Sequence, residues 1–263
     1  MQTFGPALSG EASSELRERL MTHGVAANAS LAEARARPEE VATTRTQLSR
    51  LSRAIMRNGR VSPDRSVAKR LVDLFGATVG LLFTLLLLPF IALAIRADSP
   101  GPILFTQARV GRHGRRFKML KFRTMHRWAE EQRDSLEPWN EMSGPIFKIA
   151  GDPRVTRVGR LLRRFSLDEL PQFWNVLKGE MSLVGTRPPT PEEVEQYELW
   201  HYRRIAIRPG MTGLWQVSGR ADVRDFDQIV ALDLKYIDEW SLWLDLKILL
   251  RTLIVVFLAR GAA

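Results

Sequence analysis

The chain has 263 residues, 45% of them apolar, enough to bury one sizeable core and to carry an appendage beside it. Its formal charge of +10 calls for an anionic partner, a demand that nucleic acid, anionic lipid and phosphorylated substrates all meet. The absence of cysteine excludes disulfides and thiolate metal sites and suits a reducing compartment; the four histidines show no metal-ligand spacing, so no zinc site is expected.

Residues 1–63 carry Ala, Arg, Glu and Ser with few large apolar side chains. They read as a weakly structured or helical extension, with a short helix over Glu11 to Met21 and no signal peptide. The sharpest compositional break is Leu74 to Ile95, 22 residues without a charge, long enough to span a bilayer and apolar on every face. Pro89 lies inside it and is predicted to kink the helix. Both flanks are basic, with Arg60, Arg65, Lys69 and Arg70 before it and Arg96, Arg109, Arg112, Arg115 and Arg116 after it. A spanning helix usually collects its positive residues on one side. The pattern therefore predicts a helix that enters the membrane, bends at Pro89 and returns to the cytoplasmic face.

Asp98-Ser99-Pro100-Gly101-Pro102 is a turn cluster. Ile103 to Phe105 and Phe117 to Phe122 follow as strands around Gly111 to Gly114, a small hairpin. Helices are predicted over Arg127 to Leu136, Leu161 to Arg164, Gln172 to Leu177 and, opened by Thr190 and first-turn acids, Pro189 to Arg204. Leu242 to Arg260 mixes apolar residues with Lys247 and Arg251 four positions apart, which allows an interfacial helix or one packed on the domain.

The run from Arg163 to Gln172 concentrates the chemistry. Pro171 fits a helix only in its first turn, which puts a cap at about Asp168 to Leu170 and leaves Asp168 at a helix start. Free amides and the dipole there favour negative charge, and capping by Asp168 with a first-turn Glu169 is the plain structural alternative to catalysis. Lys148, Asp152, Arg154, Lys178 and Arg187 recur nearby, a mixture suited to a diphosphate and a divalent metal.

Several runs, in order from about residue 64 onward, resemble the monotopic phosphoglycosyl transferases, the bacterial sugar transferases that start glycan assembly on undecaprenyl phosphate. They are Lys69-Arg70, Asp98 to Pro102, Lys121-Phe122-Arg123-Thr124-Met125, Asp152-Pro153-Arg154-Val155-Thr156, Ser166 to Gln172, Asn175 to Gly179, and Arg208 to Val217. The resemblance implies an α+β fold: a small, mostly helical, membrane-associated catalytic domain with a short β-hairpin, a re-entrant N-terminal membrane helix and interfacial amphipathic helices. The expected units are the extension 1–63, the membrane helix 64–98 and the catalytic domain 99–263.

The resemblance further implies an Asp168–Glu169 catalytic dyad, Mg²⁺ held by Glu169, a UDP-sugar donor and undecaprenyl phosphate as acceptor, at the cytoplasmic face of the inner membrane. Asp168 is the nucleophile in this reading, and Arg163, Arg187, Lys121, Arg123 and Arg154 are the phosphate-binding candidates. Membrane lipid is an expected partner, nucleic acid is not, and a homodimer stays open. Thr186 stands where the family has Pro before Arg187, a departure expected to loosen that loop. The Gly213 to Arg220 run resembles members that use plain hexoses. The competing readings are a membrane-anchored basic module for lipid or nucleic acid, and a soluble nucleotidyl or phosphoryl transferase.

Overall fold

A computed structural model describes residues 63–219 and 223–257; the extension 1–62, with the Glu11 to Met21 helix expected there, lies outside the described residues. Helix α1, Val67–Asp98, opens on the Ser66 side chain, which accepts the Lys69 amide at 3.2 Å. It is longer at both ends than its uncharged centre, because capped polar turns extend it, and helical backbone continues through Pro89.

One face of α1 packs on the domain along its length, burying Lys69, Asp73, Ala77, Thr84, Ile91 and Ile95. Gly80 makes the closest approach: a Cβ there would lie 2.4 Å from the Phe173 ring, so only glycine admits that packing. The opposite face is bare, with Leu71, Phe75, Leu82, Leu86, Phe90 and Leu93 exposed. Among the described residues α1 is the one helix long and apolar enough to cross a membrane.

The expected hairpin is present and longer than predicted: β1, Leu104–Val110, pairs antiparallel with β2, Arg116–Phe122, in the register Phe105↔Lys121 and Arg109↔Phe117. Arg127 to Leu136 is not a regular helix. Turns lead into a 3-10 helix at Asp134–Trp139, since a segment this short is marginal without an amphipathic face to bury.

Helix α2, Arg157–Arg164, starts earlier than expected because Thr156 caps it through the Gly159 amide. Helix α3, Gln172–Lys178, is preceded by a 3-10 turn at Leu167–Glu169, and its N-cap position is Pro171. Asp168 thus sits in the 3-10 turn rather than at the cap of α3, a correction to the expectation of a helix-start carboxylate.

Two short parallel strands, β3 at Ser182–Val184 and β4 at Gly210–Thr212, were not expected. The single helix expected over Pro189 to Arg204 is two pieces: α4, Pro191–Glu195, capped by Thr190 as expected, and a 3-10 helix at Leu199–Ile205 with its own capping box between Glu198 and His201. Helix α5, Leu214–Val217, and helix α6, Phe226–Asp238, lead to α7, Leu242–Phe257. Buried Asp245 and Ile248 hold α7 on the domain, while Trp243, Leu250, Leu253 and Ile254 remain exposed on its outer side.

Two cores result. The larger joins Ala77 of α1 to Phe117, Val176, Leu183, Trp215, Tyr236 and Ile248. The smaller is built on Ile91, Ile95, Phe122 and Leu162, with Leu167 and Leu170 packed against it. Those last two leucines bracket the Asp168–Glu169 pair, so α1 itself forms the floor beneath it.

Candidate active site

Ser166 adopts a left-handed conformation, φ 53° and ψ 21°, uncommon for a residue with a side chain. It ends α2 sharply and turns the chain so that Leu167 and Leu170 enter the small core while Asp168 and Glu169 point toward β2. Asp168 is buried at 6% exposure. Lys121 of β2 places Nζ 2.9 Å from Oε1 of Glu169 and 3.7 Å from Oδ2 of Asp168. The ammonium thereby offsets the repulsion of two neighbouring carboxylates, which would otherwise disfavour ionising both.

Two cavities meet at this pair. The larger, ≈ 560 Å³, includes Asp168, Glu169, His126, Phe147 and Lys148 in its walls. The smaller, ≈ 200 Å³, runs between α2, α5 and α7. Arg109, Lys121, Arg163, Ser166, Glu169 and Arg187 line both.

The five phosphate-binding candidates separate into two groups. Lys121, Arg163 and Arg187 line the junction of the cavities, Arg163 held by its Nε donating to Thr124 Oγ1 at 3.0 Å. Arg187 donates to both oxygens of Glu193, at 2.8 and 3.1 Å, and presents the rest of its surface to the cleft.

Arg123 and Arg154 line the larger cavity, and both are also tied into the fold. Each nitrogen of Arg123 donates to a backbone carbonyl, of Pro102, Pro100 and Ser99, clamping the turn that follows α1. Each nitrogen of Arg154 is likewise engaged, two by Asp152 and one by the Ala129 carbonyl. One N–H on each of the three nitrogens is thus met by the fold, which fixes both guanidinium groups at the cavity wall.

The sequence reading missed Arg109 as a site residue. Period-two alternation in the hairpin puts it on the same face as Lys121 once the register is known. Its Nη1 donates to the Pro188 carbonyl at 2.9 Å and lies 4.0 Å from Glu193. Burial and the like charge of Arg187 pull its pKa down to about 10, so an anion entering the cleft would relieve the pair. Burial alone would raise the Glu193 carboxyl, but the charge and hydrogen bonds of Arg187 prevail and hold it below the ordinary value.

Thr186 does not loosen its loop. Its hydroxyl donates to the Arg204 carbonyl at 2.8 Å, and its own carbonyl accepts the Gly210 amide at 2.8 Å.

This arrangement of a buried acid, a flanking acid and a ring of cations coincides with similarity to known proteins. Over 196 residues the chain is 53% identical to the galactosyl transferase CpsE of Streptococcus agalactiae, covering 74% of this chain and 43% of that protein. It is 41% identical over 212 residues to the exopolysaccharide production protein ExoY of Rhizobium meliloti, covering 78% of this chain and 92% of ExoY. It is 44% identical over 191 residues to the UDP-glucose:undecaprenyl-phosphate glucose-1-phosphate transferase of Caulobacter vibrioides, covering 70% of this chain and 67% of that one. The chain thus spans less than half the length of CpsE and nearly all of ExoY. With the bacterial sugar transferase model matching residues 64–259, from the residue before α1's approach to beyond α7, the chain belongs to that family.

Proposed function

We propose that this protein transfers a sugar 1-phosphate from a UDP-hexose to undecaprenyl phosphate at the cytoplasmic face of the bacterial inner membrane, releasing UMP and starting a polysaccharide. The observation that carries this reading is buried Asp168, beside Glu169 and Lys121, where two cation-lined cavities meet. The Caulobacter relative is named for glucose 1-phosphate and CpsE for a galactosyl group, which supports a plain hexose here.

In this reading an oxygen of Asp168 attacks the phosphorus bearing the sugar. The bond from that phosphorus to the UMP oxygen breaks, and UMP leaves with the electron pair. A phosphate oxygen of the lipid then attacks the same phosphorus, its bond to Asp168 breaks, and the carboxylate is restored beside a lipid-linked diphosphate sugar. Attacking and leaving groups are oxyanions throughout, so no proton transfer is required. Lys121, Arg163, Arg187 and Arg109 hold the phosphate oxygens as charge shifts among them.

The residues also fit Mg²⁺, which one or two carboxylates and substrate phosphates hold in place of a full protein cage. Glu169 and Asp168 supply such a pair, and among the described residues no cluster of three acidic or histidine ligands exists to form a closed site. Bound there, Mg²⁺ would neutralise the diphosphate and steady the leaving phosphate.

Helix α1 fits a re-entrant anchor hinged at Pro89, because both of its ends dock on one globular domain. At the start, Asp73 Oδ1 accepts from the Ser182 hydroxyl and the Leu183 amide, both at 2.9 Å. At the end, Asp98 Oδ2 accepts the Val158 amide of α2 at 2.9 Å. A domain on one side of a bilayer cannot hold both ends of a helix that spans it.

The test is a donor panel. Protein in detergent micelles receives UDP-glucose, UDP-galactose or UDP-N-acetylglucosamine with radiolabelled undecaprenyl phosphate. A hexose donor should give a lipid-linked product that EDTA abolishes and Mg²⁺ restores; folded protein that transfers from none of them would overturn the reading.

A further inference from the structure

We infer that Gln172 is a further catalytic residue: its carboxamide donates a hydrogen bond to a non-bridging oxygen of the phosphoryl group while that group is exchanged on Asp168. This rests on the transferase reading above and adds a neutral donor to its ring of cations.

Gln172 is 2% exposed in the first turn of α3, and among the described residues its side chain makes no hydrogen bond. Asn175, the other buried carboxamide of the same helix, is fully engaged. Its Oδ1 accepts the Leu120 amide at 3.1 Å, and its Nδ2 donates to the Lys118 carbonyl at 2.8 Å and to Glu180 Oε2 at 2.7 Å. Asn175 therefore stitches α3 to β2, whereas Gln172 stitches nothing. Buried amides are ordinarily hydrogen-bonded, and an open one calls for a ligand or a catalytic role. The group is not sealed off: neither of its polar atoms is among the fully enclosed, unpartnered ones, and Gln172 lines the smaller cavity together with Glu169.

The backbone directs this amide toward the acidic pair. Leu167–Glu169 is a 3-10 turn, Leu170 (φ −53°, ψ −38°) and Pro171 (φ −62°, ψ −17°) keep right-handed helical angles, and α3 begins at Gln172, so the chain from Leu167 onward is one helical run. Residues three and four apart on such a run share a face, and a helical side chain leans toward the preceding turn. Gln172 follows Glu169 by three positions and Asp168 by four, which brings its side chain back over the two carboxylates from the side of the smaller cavity.

An uncharged donor suits that place. Lys121 already reaches both carboxylates, at 3.7 Å from Asp168 and 2.9 Å from Glu169. A second cation there would pair with the nucleophile and blunt it, and a third carboxylate would repel the diphosphate. A carboxamide offers two N–H donors and no net charge. The non-bridging oxygens stay on the phosphorus through both displacements, as UMP leaves and the lipid oxygen enters where it left. One fixed donor therefore serves both steps, and its hydrogen stays on nitrogen.

Gln172→Met keeps the length and burial of the side chain and deletes the donors. With UDP-glucose and undecaprenyl phosphate in detergent micelles it should lower kcat by about 10²- to 10³-fold, as loss of a preorganised oxyanion donor does, and leave the KM of both substrates unchanged. Without lipid it should slow the rate of the UMP burst by the same factor at full amplitude; a merely structural side chain would lower the amplitude, which counts folded molecules, and not the rate. Gln172→Asn, an amide on a shorter stem, should recover part of the loss. Wild-type crystals holding UMP and orthovanadate, a five-coordinate stand-in for the phosphoryl group, should place Gln172 Nε2 about 2.9 Å from a vanadate oxygen, a result independent of whether the variants fold. A wild-type burst rate in folded Gln172→Met, a loss that added Mg²⁺ restores and so makes the amide a metal ligand, or a vanadate complex in which the amide faces elsewhere would overturn the inference. A wild type that releases UMP from no UDP-sugar would instead overturn the transferase reading itself.

Discussion

Lys69, in the first turn of α1, forms a buried 2.7 Å ion pair with Asp245 of α7, 176 residues away in sequence. The two side chains are 7% and 3% exposed, and the Asp245 carboxylate also accepts from the Tyr236 hydroxyl at 2.8 Å and the Trp240 indole at 3.1 Å. The two apolar helices are thereby fixed to each other and to the larger core. Removing one partner strands a buried charge, which costs about 3–5 kcal/mol. Asp245→Leu should destabilise by that amount in thermal unfolding in micelles, and adding Lys69→Met should recover part of the loss. Strictly additive costs would show that the pair is not coupled.

Glu193 gives a pH-dependent test. Its folded-state pKa lies below the ordinary 4.5, burial opposing and Arg187 prevailing. A carboxylate with a depressed native pKa contributes stability that is present above the unfolded value and is lost as pH falls through the folded one. Wild-type thermal stability should therefore hold this contribution from neutral pH down to about 4.5 and lose it below. Glu193→Gln should start lower at neutral pH and fall less steeply on acidification. Parallel curves for the two proteins would remove Glu193 from the acid response.

The topology of α1 can be read chemically because the chain has no cysteine. Arg65 and Ala97 are exposed residues at the two ends of the helix, unlike Asp64, whose carboxylate pairs with Arg112 at 3.1 Å. Arg65→Cys and Ala97→Cys in intact cells should both resist a membrane-impermeant thiol reagent and both react after lysis. Labelling of one alone from outside would mean that the helix spans the membrane.

Much of the site could be read in the sequence because its signals are local. Pro171 limits where α3 can begin, the Gly111 to Gly114 turn announces the hairpin, and Asp168 and Glu169 lie beside each other in the chain. What escaped depends on distant pairing. The three-residue strands β3 and β4 are too short to show alternation, and the register Ser182↔Gly210 joins segments that no local pattern links. Arginine chemistry is equally silent in sequence: Arg123 and Arg163 look alike as basic residues near an acidic pair. Both border the larger cavity, but Arg123 clamps three carbonyls of a turn while Arg163 stands at the junction with the smaller one. Only the fold distinguishes a guanidinium clamped on backbone from one at the junction of the cavities.

Asp168 and Glu169 are neighbours in one turn, yet the mechanism assigns them different work and so predicts different defects. Asp168 is the more buried, with a side chain 9% exposed against 25% for Glu169, and Lys121 approaches Glu169 more closely. Asp168→Asn keeps the shape and hydrogen-bonding size of the side chain but removes the nucleophilic charge. It should lose several orders of magnitude in rate, on the order of the 10⁴–10⁶-fold seen when a covalent nucleophile is disabled. With UDP-hexose and no lipid, wild type should release a burst of UMP and a peptide containing Asp168 should gain the mass of a hexose phosphate. Glu169→Gln should retain Asp168 as a nucleophile while weakening metal affinity, so its activity should rise with added Mg²⁺ where that of Asp168→Asn does not. Turnover by Asp168→Asn at near wild-type rate, or an adduct mapped to Glu169, would exchange the roles of the two acids and sink the mechanism while leaving the family membership intact.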